Sequence, residues 1–399
     1  MLTYSEALDR VLLTIQPLPC EELPLPEALG RTLAETVTAA WDMPPADNSA
    51  MDGYALALGG GEPQSEWKVI GLARAGVGHC GEVPAAAAVK IMTGAPLPAG
   101  CDTVAPLETV EQLPDGRIRL RERLRQGDHV RCRGEEFRQG EPLLVAGTAL
   151  KAGAIGLLAA AGVARVRVHR RPRVALLTTG DELVDLGVRP GPGQIVNSNR
   201  YLLTARLQEE GAEVWPLEIA GDSRQELSDR LAQGLQSDLL LTTGGVSMGE
   251  YDLVKECLGE LGFQLGFWKV AIKPGKPVLF GTARGTPVFG LPGNPAAAAA
   301  TFELFARPAL RRLAGDPAPH PRRCRASLAC GVRGAGNRQS FLWGRVEESQ
   351  GHYLFTPSSR QSSGQMRGLQ GAQALLPLAA DGPDLAAGSE VELLLIYLP

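Results

Sequence analysis

The residues of this chain that could do chemistry gather where short apolar runs end. Leu239-Leu240-Leu241-Thr242-Thr243 runs straight into Gly244-Gly245-Val246-Ser247, and Glu250 and Asp252 follow. A buried strand that ends in two glycines and then opens a helix presents bare backbone N–H groups, which bind anions. The carboxylates beside them suit a cation that accompanies the anion. Four other loops share this character: Gly180-Asp181-Glu182, Asp222, Lys273-Pro274-Gly275-Lys276-Pro277 and Pro292-Gly293-Asn294-Pro295. Lys269, Lys273 and Lys276 lie within eight residues, and the two prolines fix the backbone between them. Lysines aimed in this way suit a phosphate or another oxyanion. Further from this group, Met51-Asp52-Gly53-Tyr54 and Met92-Thr93-Gly94-Ala95-Pro96 place a carboxylate and a hydroxyl in glycine turns. Each of those two, taken alone, reads as a turn before it reads as a site.

Several chemistries are excluded. Gly76-Val77-Gly78-His79-Cys80-Gly81 has the spacing of a dinucleotide fingerprint, but Glu82-Val83-Pro84 follows it where a helix must open. It is expected to be a β-turn loop. The five His do not cluster, no phosphate-loop lysine motif occurs, and no Gly-x-Ser-x-Gly elbow supports a serine triad. Seven scattered Cys without a CxxC pair suggest reduced thiols, with no disulfide framework and no structural zinc. A net charge of −4 gives no reason to expect nucleic acid as a partner. No apolar run approaches the ~18 residues that span a membrane. The N-terminus, Met1-Leu2-Thr3-Tyr4-Ser5-Glu6, resembles a capped amphipathic helix rather than a signal peptide, so a cytoplasmic protein is expected.

The elements that must position the loops follow from periodicity. A chain of 399 residues is too long for one core, and two to four domains are expected. Between Arg173 and Leu313 strands and helices alternate. Strands are expected at Arg173–Leu177, Glu213–Ile219, Asp238–Leu241, Phe267–Ile272, Val278–Phe280 and Pro287–Phe289. Helices are expected from Asn197 to Glu210, from Gln225 to Leu235, from the glycine loop to Leu261, and from Pro295 to Leu313. This pattern predicts an α/β domain with a largely parallel sheet, whose ligands bind beyond the carboxyl ends of the strands. The five loops then converge on one edge. The flanking regions, rich in Gly and Pro, carry short β-like runs such as Val69–Ala73, Val89–Met92 and Arg117–Leu120, and the tail after the Pro-rich linker 316–321 reads as a small β-barrel or sandwich.

Seven segments taken together resemble the molybdopterin molybdenumtransferase (MoeA) family, which is similar to the E domain of gephyrin and of its plant relatives. They are Met51-Asp52-Gly53-Tyr54-Ala55, Met92-Thr93-Gly94-Ala95-Pro96, Arg133-Gly134-Glu135, Thr179-Gly180-Asp181-Glu182-Leu183, Gly244-Gly245-Val246-Ser247, Ile272-Lys273-Pro274-Gly275-Lys276-Pro277 and Leu291-Pro292-Gly293-Asn294-Pro295. They occur in the family's order and span nearly the whole chain. The resemblance implies a multidomain α/β plus β protein: a central three-layer α/β domain with a largely parallel sheet over residues 173–314, a β-rich inserted domain over 47–145, an elongated linking domain built from 1–46 with 146–172, and a C-terminal β-barrel over 315–399.

The resemblance also implies the reaction. Members insert molybdate into adenylylated molybdopterin, cleave the phosphoanhydride and release AMP, with a divalent cation such as Mg2+. A homodimer is implied, with the active site shared between subunits. Transient contact with the adenylyltransferase and with cofactor-accepting proteins is also expected. By motif, the catalytic residues fall on Asp52, Thr93, Glu182, Asp222 and Asp252. The substrate-binding residues fall on Gly244, Gly245, Ser247, Lys269, Lys273, Lys276, Pro292 and Pro295. The metal ligands fall on Asp222, Asp252 and Glu136, where Glu136 stands in place of the family's Asp and lengthens that arm by one methylene. The competing readings are a molybdopterin adenylyltransferase and a non-catalytic molybdopterin-binding scaffold. The adenylyltransferases are expected to carry Gly-Gly-Thr-Gly where this chain has Gly-Gly-Val-Ser, and no long linker or appended partner domain supports the scaffold.

Overall fold

Val174, Ala175, Leu176 and Leu177 are apolar without alternation, which suits a strand covered on both faces. The computed structural model describes residues 1–58, 66–221, 223–245, 253–349 and 351–397. In it, six strands form one sheet in the order Glu213–Pro216, Arg173–Thr178, Leu239–Thr243, Thr286–Leu291, Leu279–Ala283 and Gln264–Trp268. The first four are parallel. The last two join antiparallel. Alternate residues face opposite layers, as the pleat requires. Val174, Leu176, Leu239 and Leu241 meet the helices Tyr4–Thr14, Ser198–Glu209 and the long helix after Pro295. Ala175, Leu177 and Leu240 meet the helices Arg224–Gly234 and Leu253–Glu260 on the other side. The result is a three-layer α/β domain.

Two expectations are corrected in detail. The single strand expected at Phe267–Ile272 is two: Gln264–Trp268 stays in this sheet, and Ile272–Lys273 leaves it to pair with Gln339 and Ser340. Lys269 at φ +69° lies in the left-handed region, which no extended strand can accommodate, and the chain turns there. The long Ala-rich helix reaches Leu313 but in three pieces: Pro295–Thr301, a π-helical turn at Phe302–Ala306, and Arg307–Leu313. Pro308 lacks the N–H that would bond four residues back and its ring crowds that turn, so the ladder widens just before it.

The tail forms a closed five-stranded barrel. Its order is Gln339–Ser349, His352–Pro357, Arg323–Leu328, Glu390–Leu395 and Ala374–Leu378, and the last strand pairs back onto the first. Phe355, Leu376 and Leu393 fill it. A buried ionic cluster joins the barrel to the α/β domain. Glu303 accepts from Arg206 Nε at 2.8 Å and from Arg307 Nη1 at 3.0 Å. Arg307 Nη1 also donates to the Leu395 carbonyl at 3.2 Å, and Arg206 Nη1 to the Tyr397 hydroxyl at 2.9 Å.

The chain divides into two compact units. One holds Met1–Glu21, Gly30–Ala34 and Val168–Pro399, the other Glu22–Leu29 and Glu35–Arg167. The second unit carries a six-stranded mixed sheet in the order Thr103–Pro106, Gly53–Leu56, Ala87–Ile91, Glu66–Ala73, Arg117–Leu120 and Val110–Gln112. The Gly76–Gly81 run in it is a turn with positive φ at all three glycines, and a strand rather than a helix comes next. Among the described residues, no helix is long and apolar enough to cross a membrane.

Glu303 is the acceptor that Arg206 and Arg307 share, while Glu209 stays beside Arg206 and Glu210 beside Arg307 Nε at 2.6 Å, so removing Glu303 leaves the two arginines partly paired. Glu303→Ala is therefore expected to lower the unfolding free energy by roughly 1.5–3 kcal/mol in urea titration. A loss below about 1 kcal/mol would show that Arg206 and Arg307 are satisfied without it.

Candidate active site

The carboxyl ends of two neighbouring strands make the floor of a cavity of about 500 Å³. Thr178 and Thr179 end one strand and Thr243 the other, and Thr179 N–H donates to the Thr243 carbonyl at 3.0 Å. The loops beyond them touch. Gly244 and Gly245 have φ of +90° and +66°, and a Cβ on Gly244 would sit 2.5 Å from the Thr179 carbonyl oxygen. Only glycine allows both this conformation and this approach. The Pro292-Gly293 loop closes against the same point, with Gly244 N–H donating to Leu291 O at 3.3 Å.

Two helices begin at this cavity. Asn197 caps Ser198–Glu209, accepting from Arg200 N–H at 3.2 Å, while its Nδ2 donates to Thr178 Oγ1 at 2.7 Å. Pro295 starts the long helix after Asn294, at a position where its missing N–H costs nothing. Both residues line the cavity, so the positive ends of two helix dipoles are turned toward it. Asn199 Nδ2 donates to Thr243 Oγ1 at 2.9 Å and to Gly293 O at 2.7 Å. Its Oδ1 is buried without a hydrogen-bond partner among the described residues. Such an acceptor is costly unless a ligand or water meets it. Glu182 is exposed on the rim, where Gly180 at φ +141° bends the chain.

The lysine segment opens mainly on a second cavity, of about 680 Å³. Lys273 and Lys276 face Arg333, Arg338 and Ser340 of the barrel side there, with Ser362 and Ser363 nearby, and no carboxylate lines it. Arg338 is held by an Nη1 bond to Ile272 O at 3.2 Å. Pro277, Pro292 and Asn294 belong to both cavities. Lys269 lines neither. Its ammonium lies 3.6 Å from the centre of the Trp268 ring.

The structure thus brings together Glu182, Gly244, Gly245, Pro292 and Pro295 at one cavity, and Lys273 and Lys276 at the next. Asp222, Ser247 and Asp252 lie outside the described residues. Among the described residues, no group of three or more His, Cys, Asp or Glu side chains could hold a metal ion. Sequence reasoning missed Thr178, Asn199, Arg333, Arg338 and Ser363 as lining residues. The Asn197-Ser198-Asn199 run gave a capping signal that pointed to the right place; Arg333, Arg338 and Ser363 carry no local signal at all.

In the other unit, Asp52 and Thr93 meet directly. The strands Gly53–Leu56 and Ala87–Ile91 are antiparallel with Gly53 opposite Ile91, so the residues just outside that end of the pair emerge side by side. Asp52 Oδ1 accepts from Thr93 N–H at 2.7 Å and from Thr93 Oγ1 at 2.8 Å. These two bonds, the backbone one first, hold the Asp52 carboxyl below the usual range for an aspartate. A depressed pKa keeps the carboxylate charged, and the pair intact, at all pH values above it; the pairing is lost only as pH falls through that lowered value. Glu136 is exposed in the same unit, with its N–H bonded to Met43 O at 2.9 Å. Thr93→Val removes the hydroxyl and keeps the N–H, so the Asp52 pKa is expected to rise part of the way to its ordinary value in an NMR carboxyl titration. No rise at all would show that the hydroxyl contributes nothing.

Comparison with known proteins finds relatives along nearly the whole chain. Three family models match in order: the MoeA N-terminal region (domain I and II) over residues 2–162, a probable molybdopterin binding domain over 175–312, and the MoeA C-terminal region (domain IV) over 325–396. A molybdopterin molybdenumtransferase from Haemophilus influenzae is 38% identical, over 79% of this chain and 78% of its own. Molybdopterin molybdenumtransferase 2 from Mycobacterium tuberculosis is 34% identical over 93% of both chains. The crystal structure of a molybdopterin biosynthesis MoeA protein from Pyrococcus horikoshii matches with a TM-score of 0.83 at 30% identity, covering 99% of each chain. A chain that aligns with these proteins almost from end to end, and that keeps their fold, belongs to the molybdopterin molybdenumtransferase (MoeA) family.

Proposed function

We propose that this protein is a molybdopterin molybdenumtransferase of molybdenum cofactor biosynthesis, and that it inserts molybdate into adenylylated molybdopterin with cleavage of the phosphoanhydride and release of AMP. Family membership supports the transferase reading. The observation that carries the finer reading is the pair of adjoining cavities. One offers helix N-termini, glycine N–H groups and a buried amide acceptor; the other offers four cations and no carboxylate. A substrate with an anhydride and a heterocycle suits the first, and a small oxyanion such as molybdate suits the second. Their shared wall at Pro277, Pro292 and Asn294 would bring the two reactants together.

The dithiolene of the substrate itself supplies the soft sulfur ligands that molybdenum prefers, so no cysteine cluster is required of the protein. The chain's own groups bind and orient. The Gly245 backbone and the N-terminus of the helix that Asn197 caps would hold phosphate oxygens, and Asn199 Oδ1 would accept from a ring N–H. Lys273, Lys276 and Arg338 would hold molybdate. Mg2+ fits the oxygen donors at the rim, since it is commonly held by one or two carboxylates together with substrate phosphates. Glu182 lies there beside the substrate, and Asp222, Asp252 and, from a second copy, Glu136 are the ligands assigned to Mg2+ in this proposal. When bound, Mg2+ would neutralise charge on the anhydride and acidify a water.

The proposal includes a homodimer in which a second copy supplies Asp52 and Thr93, which are exposed and already paired. It also includes transient contact with the adenylyltransferase and with cofactor-accepting proteins. Seven unpaired cysteines suit a reducing compartment such as the cytoplasm.

Purified protein given adenylylated molybdopterin, Mg2+ and molybdate is expected to release AMP only when molybdate is present. AMP release that ignores molybdate, or none, would overturn the reaction. Losing a charged hydrogen bond costs about 1.5–3 kcal/mol, so Lys273→Ala and Lys276→Ala should each weaken molybdate binding roughly tenfold or more in calorimetric titration. Unchanged affinity in both would move molybdate out of the second cavity.

A further inference from the structure

Asn294 lines both cavities, and its side chain is not used as its position predicts. It is the N-cap of the long helix, where an Asn side chain ordinarily accepts from a first-turn N–H. Asn294 makes no such bond. The carbonyl of Ser363, in the loop between the barrel strands His352–Pro357 and Ala374–Leu378, accepts from Ala296 N–H at 2.9 Å instead. The Asn294 carboxamide is thereby released to reach across, and its Nδ2 donates to Ser363 Oγ at 3.3 Å. Gln361 fixes the loop that carries Ser363. It accepts from Trp343 N–H at 3.0 Å and donates to the Trp343 and Ser358 carbonyls, each at 2.8 Å.

On its other side Asn294 is joined by one peptide bond to Gly293, whose carbonyl accepts from Asn199 Nδ2 at 2.7 Å. The far end of that same Asn199 carboxamide is the buried, unpartnered Oδ1 of the first cavity. A chain of hydrogen bonds therefore runs from Asn199 through the Gly293-Asn294 dipeptide to Ser363, which lines the second cavity. Both ends of the chain respond to a ligand. Ser363 Oγ accepts from Asn294, and its own proton has no acceptor among the described residues, so it is free to donate to an oxyanion. Giving up that proton makes the oxygen a better acceptor and tightens the long 3.3 Å bond from Asn294. A donor that meets Asn199 Oδ1 polarises the amide and strengthens its Nδ2 bond to Gly293 O.

We propose that Asn294 is a positioning residue that couples the two cavities, so that each anion binds more tightly when the other is present. The proposal rests on the reaction assigned above, which needs both reactants at once. Each ligand tightens a bond onto the same dipeptide, so the second to arrive meets a wall already set by the first. Coulomb repulsion between two anions in adjoining cavities acts in the opposite direction. The sign of the coupling therefore separates this relay from mere proximity.

Calorimetric titration of the full-length protein with AMP, without and with saturating molybdate, reads the coupling as a ratio of two dissociation constants. Wild-type protein is expected to bind AMP about fivefold more tightly when molybdate is present. Asn294→Ala should remove that gain and leave only the repulsion, so that molybdate weakens AMP. Ser363→Ala keeps the carbonyl that caps Ala296 and should have the same effect, whereas Ser363→Thr should retain the gain because it keeps the hydroxyl. A residue that merely shaped the wall would shift both affinities and leave their ratio as it is in the wild type. No tightening of AMP by molybdate in wild-type protein would overturn the coupling, as would a wild-type ratio in folded Asn294→Ala. Should Asn294→Ala fail to fold, Ser363→Ala decides. If wild-type protein shows no molybdate-dependent AMP release, the assigned reaction fails, and the titrations still decide whether the cavities are coupled.

Discussion

The Thr179 carbonyl leaves no room for a Cβ at Gly244, and the rest of the site depends on that approach. Because two strand ends can pack so closely, the loops after Thr178 and Thr243 share one floor, and Pro292-Gly293 closes on the same spot. Backbone groups and helix ends then supply positive potential at that floor. The polar residues beneath are tied to one another: Asn197 to Thr178, and Asn199 to Thr243 and Gly293. This network fixes the floor before any ligand arrives, so binding need not order it.

Charge is divided between the two cavities. Free cations grouped against the barrel would repel each other, and holding them there depends on the barrel being docked firmly. The Arg206–Glu303–Arg307 cluster does this at the middle of the long helix, around its π-helical turn, reaching the last barrel strand at Leu395. A buried cluster of this kind contributes little net stability but is specific about which surfaces meet. The second cavity exists only because those surfaces meet as they do, since more than half of its lining, Arg333, Arg338, Ser340 and Ser362 included, comes from the barrel side.

Much of this is legible in the sequence because local chemistry dictates it. The apolar runs mark the strands, Gly244-Gly245 and Gly180 mark the tight approaches, and Thr3 with Glu6 marks the capped first helix. What is not legible depends on distant pairing. Nothing near Arg338 or Ser363 announces an anion site, because their meaning comes from a barrel strand that pairs with Ile272–Lys273. The sequence reads as continuous strand across Lys269, since a left-handed lysine has no composition signal. The segment before Pro308 reads as plain helix for a related reason: propensity sees the proline but not how its neighbours absorb it. The Asp52–Thr93 pair lies between these cases. Its two turns are visible in the sequence, while their meeting is set by the Gly53–Ile91 register.

The central claim is that two anions occupy two adjoining cavities. Diffraction at the molybdenum absorption edge, from crystals grown with molybdate and AMP, tests it most directly. The account predicts an anomalous peak among Lys273, Lys276 and Arg338, with the AMP phosphate hydrogen-bonded to the Gly245 backbone. An anomalous peak elsewhere, with the Lys273–Arg338 cavity empty, would contradict it.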